Sequence, residues 1–201
     1  IAARVRVFAG GTGDLDTPII LGNMLNPFGM NYTGGVNVAS GDINHDGKDE
    51  ILVATATGGS NVKGFRLNGS TYALALGRIS AFAGTVGAQI TTLDINGDGV
   101  SEFAVATQNP RGDLLVKLYN NNGAEIAGYK AATQVDAYGL ASSDLDQDGN
   151  EELMVGIIPA PGTVAIAGND QVNVLDPLNG QKESGFDVIS VLVSGISLDS
   201  I

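Results

Sequence analysis

Cysteine and tryptophan are absent from the 201 residues, and His45 is the single histidine. Without cysteine there is no disulfide framework, no thiolate metal site and no thiol nucleophile. One histidine and no Gly-x-Ser-x-Gly elbow leave little from which to build a hydrolytic triad. Ten Lys and Arg against 22 Asp and Glu give a formal net charge of −12. No basic stripe can neutralise phosphates, so nucleic acid is excluded as a partner. No run reaches the ~18 apolar residues of a membrane span. Aromatic residues make up only 5%, thin for stacking platforms on sugar rings. Tyr32, Tyr72, Tyr119, Tyr129 and Tyr138 read instead as core or interface packing. No signal peptide stands at Ile1; a mature or trimmed chain has this form.

The chain does have 29 glycines and 43% hydrophobic residues, enough for many tight turns and a sizeable core. It also has one acidic nine-residue loop three times over. The copies run from Asp42 to Glu50, from Asp94 to Glu102 and from Asp144 to Glu152. Each carries side-chain oxygens at positions 1, 3, 5 and 9. These are Asp42, Asn44, Asp46 and Glu50; Asp94, Asn96, Asp98 and Glu102; and Asp144, Asp146, Asp148 and Glu152. Position 6 is always Gly, which permits a sharp turn, and position 7 (Lys48, Val100, Asn150) offers a backbone carbonyl. Alternate residues of a tight loop turn their oxygens inward, forming a cage for a hard cation of six to eight oxygen ligands. Calcium suits it. Three copies at intervals of 52 and 50 residues argue against coincidence. Ten of the 22 acids are then ligands, and three Ca2+ ions would bring the net charge from −12 to −6.

An EF-hand has the same opening but needs a bidentate Glu at position 12 and flanking helices. Position 12 here is Val53, Val105 and Val155. An apolar run follows each loop at once: Ile51 to Ala54, Phe103 to Ala106, Leu153 to Gly156. Such short runs bounded by turn residues suit strands buried on both faces. The EF-hand and dockerin geometries therefore fail, and the glycine-rich nonapeptide of an RTX β-roll is missing. A short strand precedes each loop (Val36 to Gly41, Ala88 to Leu93, Tyr138 to Ser143). A third strand follows the apolar one and closes on Asn68-Gly69, Asn122-Gly123 or Asn179-Gly180, pairs that mark hairpins. A more variable fourth strand leads to the next unit. Four strands in a period of about 50 residues describe a propeller blade.

The pattern Asp-x-Asp/Asn-x-Asp-Gly-x-x-Asp/Glu followed by a strand resembles the FG-GAP/VCBS repeat family, in its VCBS-like branch. Its calcium-bearing blades occur in integrin α-subunit propellers, fungal propeller lectins and many bacterial surface proteins. The resemblance covers roughly residues 30 to 190. It implies an all-β, β-propeller-like array of four-stranded antiparallel blades, with three Ca2+ held by the residues named above. Residues 1–201 read as one domain: a partial blade over 1–30, blades over 31–86, 87–135 and 136–190, and a partial or strand-completing segment over 191–201.

Both ends read as cut. Arg4 to Gly11 resembles a third strand with no loop before it, and Ser197 to Ile201 resembles the start of a fourth loop. Three arrangements stay open: a window from a longer propeller; a four-bladed ring closed by residues 186 to 198; or a subunit whose terminal strand completes a neighbouring copy and builds a filament. An exposed sheet edge needs one of these solutions.

Three smaller signals remain. Arg111-Gly112-Asp113 is an RGD tripeptide in a turn, where ordinary turn chemistry is the simpler account. Asn31-Tyr32-Thr33 and Asn68-Gly69-Ser70 fit the N-glycan acceptor pattern. His45, at loop position 4, is expected to face solvent. The function expected is non-enzymatic: an extracellular or cell-surface calcium-stabilised module for adhesion, ligand binding or assembly. Its partners would be a protein or glycan ligand or copies of itself. The alternatives are an extracellular filament subunit and a carbohydrate-binding propeller.

Overall fold

Residues 1–10, 19–84, 86–160 and 172–186 are described by the computed structural model of the chain. The strands among them are β1 (Val5–Phe8), β2 (Ile20–Leu25), β3 (Val36–Gly41), β4 (Glu50–Thr55), β5 (Asn61–Asn68), β6 (Thr71–Ser80), β7 (Gln89–Leu93), β8 (Glu102–Gln108), β9 (Leu114–Tyr119), β10 (Glu125–Ala132), β11 (Val135–Ser143), β12 (Glu152–Pro159), β13 (Val172–Leu175) and β14 (Lys182–Phe186). They form three four-stranded antiparallel sheets in chain order, β3-β4-β5-β6, β7-β8-β9-β10 and β11-β12-β13-β14, and a two-stranded sheet, β1-β2. The protein is all-β. No helix among the described residues is long and apolar enough to cross a membrane.

The apolar runs after the acidic loops become the second strand of each sheet. Leu52, Val53, Ala54, Phe103, Ala104, Val105 and Ala106 are fully buried. A strand can be apolar on both faces only where other sheets cover both of them. Here they do. Leu52, Val62 and Leu76 of the first sheet pack with Ile90, Phe103, Val105 and Tyr119 of the second. Ala104, Leu114 and Leu118 of the second pack with Leu153, Val155 and Leu175 of the third. Val5 and Leu25 of the two-stranded sheet pack with Val53 and Phe65. The core is thus a series of interfaces between successive sheets.

The tyrosines fasten those interfaces, as packing residues. Tyr72 Oη donates to the Leu21 carbonyl (3.0 Å), Tyr119 Oη to that of Ala81 (3.4 Å) and Tyr138 Oη to that of Ala106 (3.1 Å). Tyr129 lies against Gly180, where even a Cβ would come within 2.3 Å of its ring. Tyr32 binds the carbonyls of Gly35 (2.7 Å) and Thr57 (2.8 Å).

The Asn-Gly turns differ from the simple hairpin reading. Asn68 pairs with Thr71, so the two turn residues are Gly69, at φ +61°, and Ser70. Gly at the first central position is the preference of a type II′ turn. Tyr119 pairs with Glu125, leaving five residues around Asn122-Gly123. The expected closing strand, residues 186 to 198, falls, Phe186 apart, outside the described residues, as do Ser197 to Ile201.

Candidate metal centre

The first strands of the sheets, β3, β7 and β11, lie side by side. Thr92 Oγ1 donates to the Ser40 carbonyl, and Ser142 Oγ donates to the Thr92 carbonyl at 2.6 Å. The loops leaving these strands therefore emerge next to one another at one end of the array. Each is wound around its first aspartate. Asp42 accepts the amides of Asn44 (3.3 Å), Asp46 (3.1 Å) and Gly47 (2.7 Å). Asp94 accepts those of Asn96 (3.3 Å), Gly97 (2.8 Å), Asp98 (3.3 Å) and Gly99 (2.7 Å). Asp144 accepts that of Gly149 (3.1 Å). At position 5, Asp46, Asp98 and Asp148 accept the amides of Lys48 (3.0 Å), Val100 (2.8 Å) and Asn150 (2.8 Å).

The closing glutamates behave alike. Glu50, Glu102 and Glu152 are buried polar residues that begin β4, β8 and β12. Their carboxylates turn back to accept the amides of Ile43 (3.2 Å), Ile95 (3.3 Å) and Leu145 (2.8 Å). Position 9 thereby ties the loop's start to the next strand. Asn44 Nδ2 donates to Glu50 Oε1 at 2.6 Å.

Loop shape rests on two left-handed residues, only one of which is a recognisable glycine signal. Position 6 has Gly47 at φ +78°, Gly99 at +78° and Gly149 at +97°. Position 4 is left-handed as well: His45 at +60°, Gly97 at +70° and Gln147 at +64°. A non-glycine side chain there costs about 1–2 kcal/mol. The varied residue types hide this requirement in the sequence. His45 is exposed, yet its Nδ1 lies 3.4 Å from the Gly99 carbonyl of the second loop.

The three loops differ in how far their acids converge. Asp144, Asp146 and Glu152 each offer one carboxylate oxygen, all within 4.8 Å of one another. Asp144 Oδ1 is buried with no hydrogen-bond partner. A buried carboxylate oxygen left unsatisfied is costly unless a cation or donor meets it. This all-oxygen donor set fits a hard divalent cation, and calcium above all. The first two loops have Asn at position 3, and their carboxylates are not drawn to that spacing. Asp42 and Asp94 are instead spread over three and four loop amides.

Electrostatics point the same way. Burial pushes the Glu50 carboxyl above its usual range; the Ile43 amide opposes this and the charges of Asp46 and Asp42 reinforce it. Glu102 is raised by burial too, against the Ile95 amide and with the charges of Asp98 and Asp94. For Asp42, burial pulls upward but is outweighed by the amides of Gly47, Asp46, Asn44 and His45, and the carboxyl ends below its usual range. A raised carboxyl pKa means the folded, metal-free chain holds protons more tightly than the unfolded one. The stability that Glu50 and Glu102 contribute is present below their unfolded pKa and lost as pH rises through the folded value. Asp42 acts in the opposite sense. A cation requires the deprotonated forms, so its stabilising effect grows as the glutamates ionise. The gap in melting temperature between calcium-loaded and dialysed metal-free protein should be wide near pH 7 and shrink towards about pH 4.3, where a free glutamate carboxyl titrates. An equal gap at both would count against these glutamates as ligands.

The RGD tripeptide is committed elsewhere. Asn109 Oδ1 accepts the amides of Arg111 (2.9 Å) and Asp113 (3.0 Å), and Asn109 Nδ2 donates to Asp113 Oδ2 at 3.0 Å. Lys130 stands 3.9 Å from Asp113. The aspartate is a partner within its own turn, in line with the turn reading. Asn31 and Asn68 are exposed.

Sequence reading missed position 8. The Ser101 amide donates to the Asp42 carbonyl (2.8 Å), and the Glu151 amide donates to the Asp94 carbonyl (2.7 Å). Position 8 of the second and third loops thus meets position 1 of the loop before it. Only tertiary stacking could reveal this, because the bonds are made by backbone amides, and the two side chains, Ser101 and Glu151, are unlike.

No curated protein matches the chain. A family model for the FG-GAP-like repeat matches residues 42–105 and again residues 94–155, together more than half of the sequence. Both matches begin at the first aspartate of an acidic loop and run on into the buried strand after the next one. With the repeated loop-and-strand geometry described above, this establishes that the chain belongs to the FG-GAP-like repeat family.

Proposed function

We propose that the chain is an extracellular, calcium-stabilised, non-enzymatic module for adhesion, ligand binding or assembly. FG-GAP repeats form β-propeller-like modules often involved in adhesion or ligand binding, and the family is generally non-enzymatic. They are typically found in extracellular or surface proteins. The observation that carries the calcium reading is the buried, unpartnered Asp144 Oδ1 within the cluster it makes with Asp146 and Glu152. The ligands proposed are the position 1, 3, 5 and 9 side chains of all three loops, with the carbonyls of Lys48, Val100 and Asn150. Bound calcium would neutralise converging acids and fix each loop to the strand that follows it. The blades proposed are 31–86, 87–135 and 136–190 of one domain.

Carbohydrate binding has the weaker support of the alternatives. The tyrosines that could act as platforms are spent on packing between sheets. A groove of about 400 Å3 between the first two sheets is lined by Asn44, Arg66, Leu74, Leu76, Asn121 and Asn122, without an aromatic. Filament formation by terminal-strand exchange draws on the two-stranded sheet, in which β1, among the described residues, pairs with β2 alone; residues 187 to 198, expected to complete it, lie outside those residues.

The test is a calcium count. Wild-type protein should bind three ions at saturation, and Asp98→Ala should bind two, as read by equilibrium dialysis. Binding of no calcium by the wild type would overturn the reading.

A further inference from the structure

We propose that Glu151, a residue outside the ligand pattern, is a positioning residue that couples cation binding in the second and third loops. The inference rests on the calcium reading above and goes beyond it, from three sites to a linked pair.

Glu151 belongs to the third loop but holds the second. Its backbone amide donates to the Asp94 carbonyl at 2.7 Å. Its carboxylate Oε2 accepts the Asp94 amide at 3.0 Å. Both main-chain polar groups of Asp94 are therefore fixed by one residue of the next blade. Asp94 is position 1 of the second loop, the acid around which four loop amides are wound. Glu151 itself sits between Asn150 and Glu152, two ligand positions of the third loop. Ordering the third loop around a cation fixes the backbone at residue 151, and this orients Asp94 before its own cation arrives. The second site then loses less conformational freedom on binding, which is positive coupling by shared ordering.

A second contact reinforces the seam. Gly97, at the tip of the second loop, lies so close to the third that an added Cβ would come within 2.8 Å of the Gly149 carbonyl. The two loop tips pack backbone to backbone. The seam between the first and second loops has the 3.4 Å approach of His45 Nδ1 to the Gly99 carbonyl, but no carboxylate at position 8. Ser101 gives its amide to the Asp42 carbonyl at 2.8 Å, and its hydroxyl stands on a one-carbon stem in place of a long carboxylate. The structure thus predicts unequal coupling: strong across the second and third loops, weak across the first and second.

The experiment is calcium titration by isothermal calorimetry, in a protein whose first loop is disabled by Asp46→Ala. Two ions should bind cooperatively, with the first raising the affinity for the second by about fivefold or more, the low end of common coupling factors. Adding Glu151→Ala, which removes the carboxylate but keeps the backbone bond to Asp94, should lower this factor, and Glu151→Gln, which keeps an acceptor for the Asp94 amide, should restore it. A purely structural role for Glu151 would lower the melting temperature and leave the factor unchanged. Independent binding in the Asp46→Ala protein, or a factor unchanged by Glu151→Ala, overturns the coupling while leaving the calcium sites standing. No binding at all overturns both. Should Glu151→Ala fail to fold, Asp148→Ala in the wild-type background carries the test. It should remove one ion and weaken one of the remaining two by about fivefold; two remaining sites of unaltered affinity overturn the proposal.

Discussion

Removing divalent cations with EGTA should lower the melting temperature by about 15–30 °C. An ion that binds only the folded state adds about 2.7 kcal/mol at a hundredfold excess over its dissociation constant. For a chain of this length each kcal/mol is worth about 2–4 °C. Three loops acting together give the figure above, and nothing in the composition offers a substitute, since there is no disulfide to hold the loops. The metal-free state also leaves like charges facing one another. Asp144, Asp146 and Glu152 converge within 4.8 Å, and Glu50 and Glu102 are buried beside further aspartates. Removing the cation exposes that repulsion in full. Differential scanning calorimetry in calcium and in EGTA makes the measurement. A melting temperature unchanged by chelation would mean that the amides wound around Asp42 and Asp94 hold the loops without help, and that calcium is not structural here.

Phe103→Ala should cost about 3–5 kcal/mol, the usual range for emptying a fully buried aromatic site. Phe103 is fully buried on β8, stacked on Tyr119 with ring centroids 5.2 Å apart and planes 11° from parallel. Its cluster joins Leu52, Val62 and Leu76 of the first sheet to the second. The cavity therefore opens at a seam between sheets, where neither can collapse without moving a whole blade. Against a total stability of about 5–15 kcal/mol, such a loss is a large share. Urea unfolding in saturating calcium should show a lower midpoint with an unchanged slope. Ile158→Ala, at an exposed position of β12, should stay within about 0.5 kcal/mol as surface changes do. A cost for Phe103→Ala as small as that of Ile158→Ala would mean that the seam is not tightly packed.

These two effects act at opposite ends of one construction. The acidic loops fix where each first strand stops and each second strand starts; the apolar strands that follow supply the surface by which sheets recognise one another. Glu50, Glu102 and Glu152 belong to both. Each closes a loop at its carboxylate and opens a buried strand at its backbone, so loss of the cation and loss of core packing should be felt in the same residues.

The repeat was legible in the sequence because its signals are local. Oxygen donors on alternate positions, Gly at position 6 and an apolar run after position 9 are properties of a dozen consecutive residues. They located β3, β4, β7, β8 and β12 to within a residue or three, and identified the family. The tyrosines were also legible as packing, since so few aromatics in a repeat of this kind are needed between blades. Less legible were features set by backbone conformation or by partners distant in the chain. His45, Gly97 and Gln147 share a left-handed backbone at position 4 but no side-chain chemistry. Asn68-Gly69 looked like the centre of a turn whose centre is Gly69-Ser70, because strand register, not composition, decides which residues are left unpaired. The RGD tripeptide reads as a turn, but the partner of its aspartate, Asn109 four residues before it, comes only from the fold.

Local sequence, then, specified the unit: a four-stranded all-β repeat with an acidic loop of oxygen donors, the loop present three times in an acidic chain without cysteine. The tertiary structure alone decided how the units meet. It placed β3, β7 and β11 side by side, brought position 8 of one loop onto position 1 of the one before, and gave Asp94 both of its main-chain partners in Glu151. It also set the third loop apart, with Asp144 Oδ1 buried and unpartnered while Asp42 and Asp94 turn to their own amides. The physical reason is range. Ligand spacing and strand periodicity are encoded within a few residues, whereas contacts between loops about 50 residues apart exist only once buried sheet faces have stacked and fixed the loops' mutual position.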